Sequence, residues 1–140
     1  MTRVCLDSNV LVAAFVARGL CADVLRLVLA EHVLIVPEVV AEEVRRVLAE
    51  KLRASREAIS AVDAVLDRCG IVPRADELSP IKLRDPDDEL VLAGAIAGGA
   101  AILVTGDEDL LVVAEESPIR ILSPKAFLAL ARGGGAVPGR

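Results

Sequence analysis

The chain has 140 residues, 54% of them hydrophobic, enough apolar material for the core of one ordinary domain. Its formal net charge of −5 argues mildly against a general nucleic-acid coat, and no apolar run approaches the ~18–20 residues of a membrane span, since Ala93 to Val104 is interrupted by Gly98 and Gly99. Phe15 and Phe127 are the only aromatic residues, so the core must be aliphatic.

Taken in order, Arg3 to Leu6 is a short apolar run that ends at Asp7 and predicts a first strand. Ser8 to Phe15 carries helical periodicity, broken by Arg18-Gly19, and Cys21 to Leu29 predicts a second helix. Val33 to Val36 predicts a strand, with Pro37 opening the helix that follows. Val39, Val40, Val44, Val47 and Leu48 form one stripe of that helix, expected over Glu38 to Lys51. Ser55 is a candidate N-cap for a helix running to about Cys69, ended by Gly70, and Ile71-Val72 predicts a short strand. Asp76 to Arg84 reads as irregular. Asp87 or Asp88 is then expected to cap a helix through Ile96, apolar nearly all round and closed by Gly98-Gly99. Ile102 to Thr105 predicts a fourth strand, Asp109 to Ala114 a short helix, Ile119 to Leu122 a last strand, and Pro124 to Arg132 a last helix.

Strands that are continuous aliphatic runs, alternating with helices, predict an α/β fold with a central parallel sheet covered by helices. One domain is expected over residues 1–132, with a flexible glycine-rich tail at 133–140. The N-terminus lacks a basic region followed by an apolar one, so no signal peptide is expected. Cys5, Cys21 and Cys69 are odd in number and lack CxxC spacing, which reads as reduced thiols of a cytoplasmic protein. The leucine- and valine-rich face of Cys21 to Leu29 exceeds one core contact and predicts a homodimer.

Acidic clusters sit where strands end or helices begin: Asp7, Glu43, Asp88 within Asp85-Pro86-Asp87-Asp88-Glu89, and Asp107 with Asp109. In parallel sheets ligands bind beyond the carboxyl ends of the strands, so these carboxylates can converge there. Two of them at ~4 Å repel by roughly 4 kcal/mol at an effective dielectric of about 20, and a fold that gathers four does so for a divalent cation. An all-oxygen set suits Mg²⁺ or Mn²⁺, which lowers the pKa of a bound water and stabilises a departing oxygen. Each acid also has a local alternative. Asp7 and Asp88 could cap helices, Glu43 borders an apolar stripe, and Asp107 could serve a turn. Those roles leave unexplained why one rim is so acidic.

No histidine or cysteine cluster suits zinc. The single histidine, His32, reads as structural, and its solitude removes the histidine pair that metal-free ribonucleases use. Basic residues bunch at Arg45, Arg46, Lys51, Arg53 and Arg56, and again at Lys82 and Arg84. They read either as a solvated helix face or as a basic rim beside the acidic site.

Asp7-Ser8-Asn9 after the first strand, Glu43-Val44 followed by Val47-Leu48, Asp85-Pro86-Asp87-Asp88 before an alanine-rich helix, and Leu103 to Leu111 around Thr105-Gly106-Asp107-Glu108-Asp109 together resemble the PIN-domain family, closest to its small prokaryotic VapC-like toxins. The resemblance runs from Arg3 to about Phe127. It implies a three-layer PIN-like fold and a metal-dependent endoribonuclease that is one half of a toxin–antitoxin pair. It also implies Mg²⁺ or Mn²⁺ on Asp7, Glu43, Asp88 and Asp107, with Asn9, Thr105 and Asp109 in support. Asp85 and Glu89 compete with Asp88 for the third place. Asn9 and Thr105 are each placed to donate a hydrogen bond that orients Asp7. Asp109 is a further candidate metal ligand, and Arg45, Arg46, Lys51, Arg53 and Arg84 are candidate RNA contacts. The expected partners are RNA, a protein antitoxin that blocks the site with a peptide, and a second copy of the chain, with no membrane. Two other functions compete: a phosphatase or phospho-acceptor with Asp7 as nucleophile, and a module that binds metal or RNA without cleavage. Against the first, no second aspartate follows two residues after Asp7.

Overall fold

In a computed structural model of the protein, residues 1–133 are described. The tail expected at 133–140 therefore lies outside the described residues beyond Gly133.

Five strands, β1 (Arg3–Leu6), β2 (Val33–Pro37), β3 (Ile71–Val72), β4 (Ile102–Val104) and β5 (Arg120–Leu122), form one sheet in the order β3-β2-β1-β4-β5. Every pairing is parallel. Val4, Cys5, Leu6, Ile102, Leu103 and Val104 are completely buried, which is why the central strands read as unbroken aliphatic runs rather than alternating ones. Parallel neighbours need crossovers, and the helices supply them. These are α1 (Ser8–Val16), α2 (Leu20–Glu31), α3 (Glu38–Arg46), α4 (Arg56–Cys69), α5 (Pro86–Ala97), α6 (Glu108–Leu111) and α7 (Pro124–Arg132). Helices α2, α3, α4 and α5 pack along β2, and α6 and α7 along β5. No helix among the described residues is long and apolar enough to cross a membrane.

The chain leaves β1 for β2 on one side and returns to β4 on the other. The order therefore reverses between β1 and β4, and the crevice beyond their carboxyl ends is the natural binding position in such sheets. Asp7 follows β1 directly, and Thr105 follows β4.

Most element ends fall within two residues of the sequence expectation; α6 stops at Leu111 rather than Ala114, and two helix ends differ in kind. Helix α3 stops at Arg46 and continues as a π-helical turn, Val47–Lys51, closed by Leu52 N donating to Val47 O at 3.0 Å. The wider turn keeps Leu48 fully buried while the chain bends away at Arg53, whose φ is +47°. Helix α5 is capped by Asp85, not by Asp87 or Asp88. Pro86 takes the first helical position, where its missing N–H costs nothing, and the Asp85 side chain accepts from Asp87 N at 2.9 Å.

Gly94 lies in the buried middle of α5, where a Cβ would come within 2.7 Å of Pro37 Cβ and 3.1 Å of its Cγ. Ring carbons of a proline cannot swing aside. Gly94→Ala is therefore expected to push α5 off β2 and cost about 1–3 kcal/mol, read as a lower thermal midpoint. An unchanged midpoint would show that α5 can shift freely.

Candidate metal centre

Asp7 is the hub of the crevice. It is 4% exposed, N-caps α1 by accepting from Ser8 N at 2.8 Å through Oδ1, and accepts from Thr105 Oγ1 at 2.7 Å through Oδ2. Thr105, fully buried, also accepts from Asp107 N at 3.0 Å. One hydroxyl thus ties β1 to the loop after β4. Burial pushes the Asp7 carboxyl up from its ordinary value. The bonds from Thr105 and Ser8 oppose this, and the charges of Glu43 and Asp107 add to it.

Asp107 N-caps α6, accepting from Asp109 N at 2.9 Å. Asp88 enters from the first turn of α5 and is 7% exposed. Asp88, Asp107 and Asp109 each bring a carboxylate oxygen within 4.8 Å of the others. The Asp88 carboxyl is pushed up to about 7 by burial, by its hydrogen-bonding contact with Asp107, and by the charges of Asp107, Asp85 and Asp7. Its Oδ2 is buried without a hydrogen-bond partner. Asp85 and Glu89 are engaged elsewhere: Asp85 caps α5, and Glu89 Oε2 accepts from Leu83 N at 3.1 Å.

Glu43, half-buried on α3, lies outside that tight group and reaches Asp7 only through its charge. Asn9 does something other than orient Asp7. Its Oδ1 accepts from Gly106 N at 3.2 Å and holds the β4–α6 loop to α1, because a residue two positions along the helix projects away from the cap. Among the basic candidates, Arg84 meets Asp109 at 3.6 Å. Arg45 is held by Asp63 of α4 at 2.9 Å, an ion pair that braces two helices. Arg46, Lys51 and Arg53 are exposed. The bond from Leu83 N to Glu89 in the first turn of α5 had no sequence signal beyond Glu89 following Asp85.

The donors are all oxygens, and one of them is a buried charge-bearing atom with nothing to bond. That combination fits a hard divalent cation. Asp7 suits a nucleophile poorly, since it is buried and both its oxygens already accept hydrogen bonds.

Fold and site together define a parallel α/β domain with a cluster of carboxylates at its switch point. The chain belongs to the PIN domain family, whose model matches residues 3–109. No curated relative matches the sequence. Among solved structures, the fold is similar to that of VapBC2 from Rickettsia felis bound to a DNA fragment from their promoter, with a TM-score of 0.60, 20% identity, and coverage of 87% of this chain and 98% of that one.

Proposed function

We propose that the protein is a metal-dependent endoribonuclease, working in the cytoplasm as the toxin of a toxin–antitoxin pair. The observation that carries the metal half is the buried, unpartnered Asp88 Oδ2 beside the Asp107 and Asp109 carboxylates. Membership of the PIN domain family supports the nuclease half. The likeness to VapBC2 supports a protein antitoxin as partner.

In this reading Asp7, Asp88 and Asp107 would hold Mg²⁺ or Mn²⁺, with Asp109 as a further ligand and Glu43 completing the acidic set from α3. Such an ion would supply an acidified water and would stabilise the departing oxygen of the phosphodiester. The rest is done by the chain's own groups. Thr105 Oγ1 and Ser8 N fix both oxygens of Asp7, and Asp109 N fixes Asp107. Asn9 holds the Gly106 loop in place. These bonds set the ligands before the substrate arrives, so little reorganisation accompanies reaction. Arg46, Lys51, Arg53 and Arg84 supply exposed positive charge for the RNA backbone, and Arg45 braces α3, which carries Arg46, through Asp63. Exposed Val16 and Leu20, at the α1–α2 junction, support association of two copies.

The test is incubation of single-stranded RNA with the protein in Mn²⁺, Mg²⁺ or EDTA, beside Asp107→Asn. Cleavage is expected only with metal and only in the wild type. Its product ends should lack a 2′,3′-cyclic phosphate, because water and not the ribose hydroxyl attacks. Cleavage in EDTA, or cyclic ends, would overturn the reading. Tight Mn²⁺ binding without cleavage of any RNA would favour the binding module.

A further inference from the structure

We infer that Arg84 is a displaceable counter-charge: it pairs with Asp109, competes there with a divalent ion, and turns to the RNA phosphodiester when that ion is bound. The identity of the phosphate rests on the nuclease reading above.

The backbone on both sides of Arg84 is fixed. Leu83 is buried in the core, and its N–H is held by Glu89 Oε2 at 3.1 Å. Asp85 is the cap of α5. Arg84 is therefore anchored at the mouth of the crevice, beside the helix that carries Asp88. Its head group is not anchored. The side chain is 87% exposed, and its 3.6 Å approach to Asp109 Oδ1 is longer than the ~2.7–2.9 Å of a charge-assisted hydrogen bond. Such an exposed pair is worth about 0–1 kcal/mol and is readily given up.

Its partner matters more than its strength. Asp109 belongs to the three-carboxylate group, and among the described residues this is the ion pair that reaches that group. The remaining ion pairs, Arg26 with Asp23, Arg45 with Asp63 and Arg74 with Glu42, lie elsewhere. A lone cation over clustered carboxylates offsets their mutual repulsion. The same cation opposes a divalent ion that comes to the same oxygens. A planar guanidinium with five donors on a fixed stem then matches a phosphate bidentately. Arg84 thus works against the metal and for the substrate, and one substitution should move the two affinities in opposite directions.

The experiment compares wild type, Arg84→Gln and Arg84→Lys. Mn²⁺ affinity is measured by calorimetry. Affinity for a labelled short single-stranded RNA is measured by anisotropy in EDTA and with Ca²⁺, chosen to slow turnover. Arg84→Gln is expected to bind Mn²⁺ about three- to tenfold more tightly at low salt, a gain that shrinks as salt is added. It is expected to bind RNA about tenfold more weakly with Ca²⁺ and equally in EDTA. Arg84→Lys should restore the Mn²⁺ affinity of the wild type and only part of the RNA affinity. Unchanged or weaker Mn²⁺ binding by Arg84→Gln would overturn the inference, as would an RNA loss equal with and without Ca²⁺. If the opposed shifts occur in a protein that cleaves no RNA, the inference stands and the nuclease reading falls. If wild type cleaves RNA and the shifts are absent, the reverse holds.

Discussion

Asp7→Asn is expected to lower RNA cleavage by at least about a thousandfold, ~4 kcal/mol of transition-state stabilisation at about 1.4 kcal/mol per decade, with the fold retained. Asparagine is as good an N-cap as aspartate, so the bond from Ser8 N survives and α1 keeps its start. The Thr105 hydroxyl can rotate to accept from the new amide. Stability should hold or rise, because burial disfavours the charged form of Asp7. What disappears is one negative charge at the carboxyl end of the central strand. Thr105→Val makes the complementary change. It leaves Asp7 charged but removes its 2.7 Å donor and the acceptor of Asp107 N. A loss of about 10–100-fold is expected, recovered by Thr105→Ser. The measurements are kcat/KM on one RNA, Mn²⁺ affinity, and circular dichroism for fold. A wild-type rate in Asp7→Asn would remove Asp7 from the centre.

The contrast between Asp7 and Glu43 shows what one sequence can and cannot disclose about such a site. Asp7 ends an aliphatic strand, and the end of a parallel strand has one fate, the ligand-binding rim. Its position was therefore readable from Arg3 to Leu6 alone. Its local alternative, an N-cap, is also what it does. The two roles are compatible because each carboxylate oxygen has two lone pairs, so Oδ1 and Oδ2, which accept from Ser8 N and Thr105 Oγ1, keep capacity for a cation; Asp107 likewise caps α6 through Oδ1. Glu43 sits mid-helix, where the phase of α3 decides its direction, and Glu42 beside it has the same chemistry. Only the packing of Val40, Ala41 and Val44 into the core fixes which of the two faces Asp7. Asp88 is intermediate. The helix was evident from its apolar run, but Pro86 moved the cap to Asp85 and so freed Asp88. The π-helical turn after Arg46 had no periodic signal, since Val44 and Leu48 keep α-helical spacing across it. Arg84 meeting Asp109 depends on the path of an irregular loop, which no local pattern encodes.

Asp88→Asn is expected to make the metal-free protein more stable at alkaline pH while abolishing its stabilisation by Mn²⁺. The Asp88 carboxyl is pushed from an ordinary value of 3.8 up to about 7, chiefly by burial and then by Asp107. The folded chain therefore binds this proton more tightly than the unfolded chain does. Stability from this group is fully present below pH ~4 and is lost as pH rises through about 7. Unscreened, a shift of this size corresponds to ~4 kcal/mol; water at the mouth of the crevice reduces it to about 1–2 kcal/mol. Asparagine removes the pH dependence. At pH 8 and in EDTA its thermal midpoint should exceed that of wild type by roughly 3–6 °C, and the gap should close toward pH 4. Mn²⁺ reverses the order. A cation bound only by the folded wild type stabilises it by mass action, while a variant that lacks the ligand gains nothing. A carboxylate serving only as helix structure would give the same difference with and without Mn²⁺. A change of sign on adding the ion is the result that a strained, unpartnered ligand alone produces, and thermal scans of both proteins at pH 4 and 8, with and without Mn²⁺, decide between the two.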